Sequence, residues 1–276
     1  MTDANMLTLA IETYQRLLPE LKHRIGINSH PDPVESVQID LPSLSNLIEM
    51  VQPAPPKSCL VGMCEDGIPF MLDLTGSETG SILVTGDSGC GKTHQLQVMA
   101  ESAMRMNLPH EVQICVLTGN PDEWEGYLRS HDDSRYIIGI YAWYEQGAND
   151  LINHLVALGE SRSSGRHPGA TVLFLIDDLT GVFEADFEIQ NGLHWLLEYG
   201  PACGIRPIAS IKAEHCPTNS FWVDAFRTFL VGRIESDSLA VSLGLEEGYS
   251  PKHLSNLEFS AFTGQEWTKF RLPTSE

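Results

Sequence analysis

Short apolar runs alternate with amphipathic segments along most of this chain. Residues 59–63, 69–74, 81–85, 112–118, 136–140, 171–176, 205–211 and 226–232 are apolar runs of strand length. Between them, residues 93–106, 148–161 and 189–199 place apolar side chains at helical spacing. Shorter helices are predicted at 43–51, with Ser43 or Ser45 as the cap, at 121–129 and at 236–243. Glu65, Asp66 and Gly67 mark a hairpin turn between the first two strands. The run from Thr171 to Ile176 is apolar throughout, as a strand buried on both faces must be. Strands alternating with helices predict an α/β fold: a mostly parallel sheet covered by helices on both faces.

Ahead of this pattern, residues 6–25 form one broad apolar helical face, interrupted by Pro19. It reads either as a helix packed on its own domain or as a partner-binding helix. Pro53, Pro55 and Pro56 read as a stiff linker. The expected division is an N-terminal helical segment with a Pro-rich linker over 1–56, and the catalytic domain over 57–276. No apolar run reaches the roughly 18 residues of a membrane span. No basic-then-apolar leader opens the chain, so a cytoplasmic location is expected.

Charge narrows the partners. With 17 basic and 37 acidic residues, the net charge is −20. DNA remains a possible partner through a local basic loop, but the overall field opposes it. Arg162, Arg166 and His167 form the basic cluster, read as an exposed loop or one reaching a central channel. The six cysteines form no CxxC pair and are expected to be buried, reduced thiols. Cys90 is the exception, expected to be open to alkylators and shielded by nucleotide. The histidines show no metal-pair spacing, and the tryptophans are expected in the core or at subunit contacts.

The chemistry begins at Gly86-Asp87-Ser88-Gly89-Cys90-Gly91-Lys92-Thr93, which fits the P-loop pattern at every required position. The glycines let successive amide N–H groups point inward at phosphate oxygens. Lys92 supplies a cation to the β- and γ-phosphates, and Thr93 a hydroxyl to Mg²⁺. The helix that follows aims its positive end at the anion. The expected nucleotide-contacting set is this loop together with the next residue, His94, whose ring is expected to face out of its helix. No NKxD motif appears, which favours ATP over GTP.

A second motif ends the strand at 171–176: Asp177 and Asp178. Beside a P-loop, this is the Walker B position. Asp177 would hold Mg²⁺ through its water shell, and Asp178 would orient the attacking water. Residues 120–124 follow another strand's carboxyl end, where ligands sit in open α/β sheets. They read as a solvated turn or as lining of the nucleotide's edge.

These motifs and their surroundings resemble the FtsK/HerA group of P-loop ATPases, especially FtsK/SpoIIIE-type motors and the ATPase modules of type VII secretion. The likeness spans about residues 58–273. It is carried by Gly67 to Leu74, Gly80 to Val84, Tyr199 to Ser210, Phe226 to Ser238, and the closing stretch from Phe262 to Pro273. The resemblance implies a RecA-like core assembled as a ring, commonly a hexamer, or a hetero-assembly with other subunits. It also implies an arginine finger given by a neighbour to the γ-phosphate, with Arg227 the first candidate and Arg233 the second. Two positions depart from the family pattern: Asp178 replaces the usual Glu, and Lys212 stands where a Gln-type residue closes the sensor strand. The expected function is an ATP-binding and hydrolysing motor that uses Mg²⁺ and moves a polymer, DNA or protein. Its turnover is expected to be slow, because Asp178 is one methylene short. The alternative is a nucleotide-dependent switch with weak or no turnover.

Overall fold

The computed structural model describes residues 42–129, 135–165, 169–243, 245, 249–262 and 267–274. The amphipathic stretch 6–25, the prolines at 31 and 33, Arg166 and His167 lie outside the described residues.

Helix α1 (Leu44–Met50) starts where Ser43 accepts the Asn46 N–H, so Ser43 is the cap. It buries Leu44, Leu47 and Ile48 against Leu60, Met63, Ile68, Met71 and Val98. The hairpin β1 (Ser58–Cys64) and β2 (Pro69–Asp73) follows, antiparallel as its turn predicts. Strand β3 (Ile82–Gly86) runs into the phosphate loop and α2 (Lys92–Met106). Then come β4 (Val112–Thr118), α3 (Pro121–Arg129), β5 (Ile137–Ala142), α4 (Gln146–Ser163) and β6 (Thr171–Asp177). The second half holds α5 (Phe187–Tyr199), β7 (Ile205–Lys212), α6 (Ser220–Val223), β8 (Thr228–Gly232) and α7 (Asp237–Ser242). It closes with the hairpin β9 (Glu258–Phe262) and β10 (Trp267–Arg271).

Among the described residues the strands make one 10-stranded sheet in the order β2-β1-β10-β9-β8-β3-β7-β6-β4-β5. From β8 to β5 neighbours are parallel; from β2 to β8 they are antiparallel. The predicted α/β core is therefore present, extended by an antiparallel wing built from the two hairpins. One face buries Leu96, Met99, Ala100 and Ala103 of α2 with Trp124 and Leu128 of α3. The other buries Leu151, Ile152 and Leu155 of α4 with Leu193, Leu196 and Leu197 of α5. Central strand β3 pairs on both sides, with β7 and β8, so the loop at its end rests on a strand buried throughout.

One buried cation ties the wing to this core. Arg206 on β7 is 1% exposed. Its guanidinium donates to the carbonyls of Gly80 (2.9 Å), Leu74 (3.2 Å) and Gly76 (2.6 Å). Burial pulls its pKa down to about 10, with Asp73 opposing. Arg206→Met would strand those carbonyls in a dry site. We expect a loss of about 2 kcal/mol in urea unfolding, since a buried unsatisfied polar group costs roughly 1–3 kcal/mol.

Candidate functional site

The parallel strands β3, β7, β6 and β4 end on one side of the sheet, and their carboxyl ends enclose a cleft of about 410 Å³. Such volume suits a small-molecule ligand. The P-loop residues Ser88, Gly89, Gly91, Lys92 and Thr93 line it, as do His94, Gln97, Glu123, Asp177, Asp178, Ser210, Ile211 and Lys212.

The loop's shape depends on two glycines. Gly91 has φ 106°, and a Cβ there would lie 2.6 Å from Leu257 Cδ2. Gly86 has φ 152°, and its Cβ would meet Cys90 Sγ at 2.8 Å. The chain thus curls tightly over its own cysteine while Leu257, just before β9, packs on the outside. Leu257 N–H also donates to the Cys90 carbonyl at 3.1 Å. Asp87 N–H donates to the Arg233 carbonyl at 2.8 Å, and Asp87 Oδ2 accepts the Glu235 N–H at 2.8 Å. The segment after β8 therefore braces the loop from behind. Beyond it, α2 opens with the unpaired first-turn N–H groups of any helix, aimed at the cleft.

Lys92 Nζ donates to the carbonyls of Gly86 at 3.0 Å and Asp87 at 2.8 Å, so the cation lies over the loop's mouth. Thr93 Oγ1 donates to Asp177 Oδ1 at 3.0 Å. This joins the two motifs across the strand gap, since α2 and β6 otherwise arrive from separate parts of the chain. Ser210 Oγ also donates to Asp177 Oδ1, at 3.0 Å, and accepts the Asp178 N–H at 2.9 Å. Trp124 Nε1 donates to Asp177 Oδ2 at 3.0 Å. A hydroxyl beside a fixed carboxylate is a hard oxygen pair of the kind Mg²⁺ takes. Together with the inward-curled loop, these residues fit a magnesium–triphosphate.

Asp178 is placed differently. Its backbone has φ 71°, and its Oδ1 accepts from Thr180 N–H (3.1 Å) and Thr180 Oγ1 (2.6 Å). The side chain caps the short 3₁₀ turn Leu179–Glu184 while still lining the cleft. Trp143 Nε1 donates to the Asp178 carbonyl at 3.2 Å. Lys212 sits in register with Gly86 on the neighbouring strand, at the cleft wall.

Several expectations need correcting. The Cys90 thiol is fully buried behind the loop, and burial pushes its pKa up with Lys92 opposing, so it is not open to alkylators. His94, as its place in the expected set requires, is half-buried on the cleft wall, with Nε2 3.4 Å from the Pro273 carbonyl. Arg162 is no exposed loop residue; it donates to the carbonyls of Cys203, Gly204 and Ala170, tying the end of α4 to the base of β7. Residues 120–124 resolve toward lining: Glu123 reaches the cleft, and Trp124 is fully buried on Asp177.

Arg227 lies at the opposite end of the sheet from the loop. Its N–H donates to the Ser81 carbonyl, and Thr228 pairs with Ile82, the first residue of β3. It is exposed and stands roughly 15 Å along the strands from Gly86, at about 3.3 Å per residue. It cannot reach the nucleotide of its own chain. Arg233 is at the loop's end, 4.0 Å from Glu235 of its own chain.

Sequence reading missed Ser210 as a site residue, and it missed the contact of Trp124 with Asp177. A serine inside an apolar strand, two residues before its end, and a tryptophan in the first turn of a helix are weak signals alone.

Residues 50–123 match the FtsK/SpoIIIE family. The resemblance to FtsK/HerA-type P-loop ATPases holds. Solved structures agree on the fold. EssC (ATPases 2 and 3) from Geobacillus thermodenitrificans superposes with TM-score 0.69 at 18% identity, over 96% of this chain and 50% of that one. EccC (ATPases 2 and 3) of Thermomonospora curvata, in complex with a signal sequence peptide, gives 0.66 at 17%, over 90% and 46%. The pCW3 conjugation coupling protein TcpA, with ATPγS, gives 0.61 at 16%, over 95% and 81%. No curated protein matches by sequence. The chain spans about half the length of these EccC and EssC structures. Among the described residues, no helix is long and apolar enough to cross a membrane.

Proposed function

We propose that this FtsK/SpoIIIE-like chain binds ATP with Mg²⁺, hydrolyses it, and couples nucleotide state to moving a polymer. The observation that carries this is the Thr93–Asp177 contact beside Lys92 at the mouth of a curled phosphate loop. Loop amides and Lys92 would hold the β- and γ-phosphates. Thr93 and Asp177 would hold Mg²⁺, which, when bound, neutralises phosphate charge. The Oδ2 of Asp178, left after its cap, would order the water. The net charge of −20 favours a protein polymer over DNA. The EccC complex with a signal sequence peptide supports the same preference. The catalytic unit is 57–276, with α1 packed upon it.

We propose that Arg227, out of reach of its own chain's nucleotide, serves a neighbour's nucleotide in a ring. The test is phosphate release with ATP and Mg²⁺ across a range of protein concentrations. We expect specific activity to climb with concentration, and Arg227→Ala to lose that climb while binding nucleotide as before. Activity flat with concentration, and equal in Arg227→Ala, would reject the ring. A second reading, a slow or silent nucleotide switch, is favoured by the capped Asp178 carboxylate and by Lys212 at the sensor position. It predicts nucleotide binding with no release at any concentration.

A further inference from the structure

Trp124 is fully buried, yet its one polar atom is spent on the cleft's carboxylate rather than on a core carbonyl. Its ring belongs to the apolar core that also holds Leu96, Met99 and Leu128. The indole N–H meets Asp177 Oδ2 at 3.0 Å, while Thr93 and Ser210 hold Oδ1 at 3.0 Å each. Asp177 therefore has three donors on two oxygens, and its rotamer is fixed from both sides. Without the indole, Oδ2 loses this donor.

We propose that Trp124 is a positioning residue of the magnesium–nucleotide site, locking Asp177 so that Oδ1 faces Thr93. The inference rests on the nucleotide reading above and names a residue that acts through Asp177, not on phosphate. Partners of direct metal ligands typically hold 10- to 100-fold in metal affinity; Asp177 would reach the ion through water, so the lower end is expected here. A competing role is packing alone, with Asp177 satisfying a buried indole N–H. The two roles differ in what magnesium does.

The test is Trp124→Phe, which keeps an aromatic ring in the core and removes the N–H. ATP affinity is measured by calorimetry with Mg²⁺ and again with EDTA, beside a thermal melt. The positioning role predicts that the gain in ATP affinity from Mg²⁺ shrinks about 10-fold, while affinity in EDTA stays within about twofold of wild type. An unchanged magnesium gain, or equal losses with Mg²⁺ and EDTA, would overturn it in favour of packing. If wild type binds no ATP under either condition, the nucleotide reading itself falls, and this inference with it.

Should Trp124→Phe fail to fold, wild-type protein carrying ¹⁵N-tryptophan decides. Five tryptophans are present, and Trp→Phe at the other four assigns the Trp124 indole signal by elimination. That signal must move when Mg²⁺ is added to the ATP-bound protein. A stationary signal would overturn the proposal.

Discussion

Lys92→Ala is expected to weaken ATP binding by about 100-fold or more and to abolish phosphate release, without unfolding the chain. Lys92 Nζ is the cation that lies against the loop carbonyls of Gly86 and Asp87, at the point where phosphate oxygens would arrive. A hydrogen bond to a charged group is worth about 1.5–3 kcal/mol, and 1.4 kcal/mol is tenfold in affinity. Two phosphate contacts therefore account for the loss. The fold survives because the residue is half-exposed, and α2 is held by Leu96, Met99 and Ala100 rather than by Lys92. Lys92→Arg should fail almost as badly. A planar guanidinium does not fit a concavity shaped for a compact ammonium. Equilibrium dialysis with labelled ATP reads the affinity, and a thermal melt checks the fold. Undiminished ATP binding by Lys92→Ala would remove the loop from the nucleotide site.

The phosphate loop was legible because its chemistry is local: eight adjacent residues supply glycines, cation and hydroxyl. Asp177 was legible because a continuous apolar strand must end somewhere, and an acid there stands at the sheet's carboxyl edge. Its partners were not. Trp124 lies 53 positions away and Ser210 33. They meet Asp177 only because the sheet runs β7-β6-β4, an order that chain spacing does not encode. The same holds for the wing. The first hairpin announces itself through its turn at Glu65 to Gly67, but nothing in β1 or β10 says that they will pair with each other next to β9. Cys90 was misread because its neighbours in sequence suggest an open loop, whereas the tight curl at Gly86 folds its thiol inward. Asp178 was half-legible: an acid two residues before a threonine can cap a turn, a local signal that the Walker B reading overshadowed.

Asp178→Asn is expected to leave ATP affinity within about twofold of wild type and to lower single-turnover phosphate release by about 100-fold or more. The choice of Asn follows from the geometry. Oδ1 accepts from both the N–H and the hydroxyl of Thr180, and an amide oxygen can do the same. Asn also tolerates the backbone at φ 71° better than most residues. The cap and the turn Leu179–Glu184 therefore persist. Alanine would lose the cap, at about 1 kcal/mol, and confuse stability with chemistry. What changes in Asn is the other atom: Oδ2, an acceptor able to orient water and take its proton, becomes an NH₂ donor. Loss of a positioned general base typically costs roughly 10²–10⁴-fold. A rate unchanged in Asp178→Asn would make the residue a turn cap alone, and would favour the switch reading over the motor.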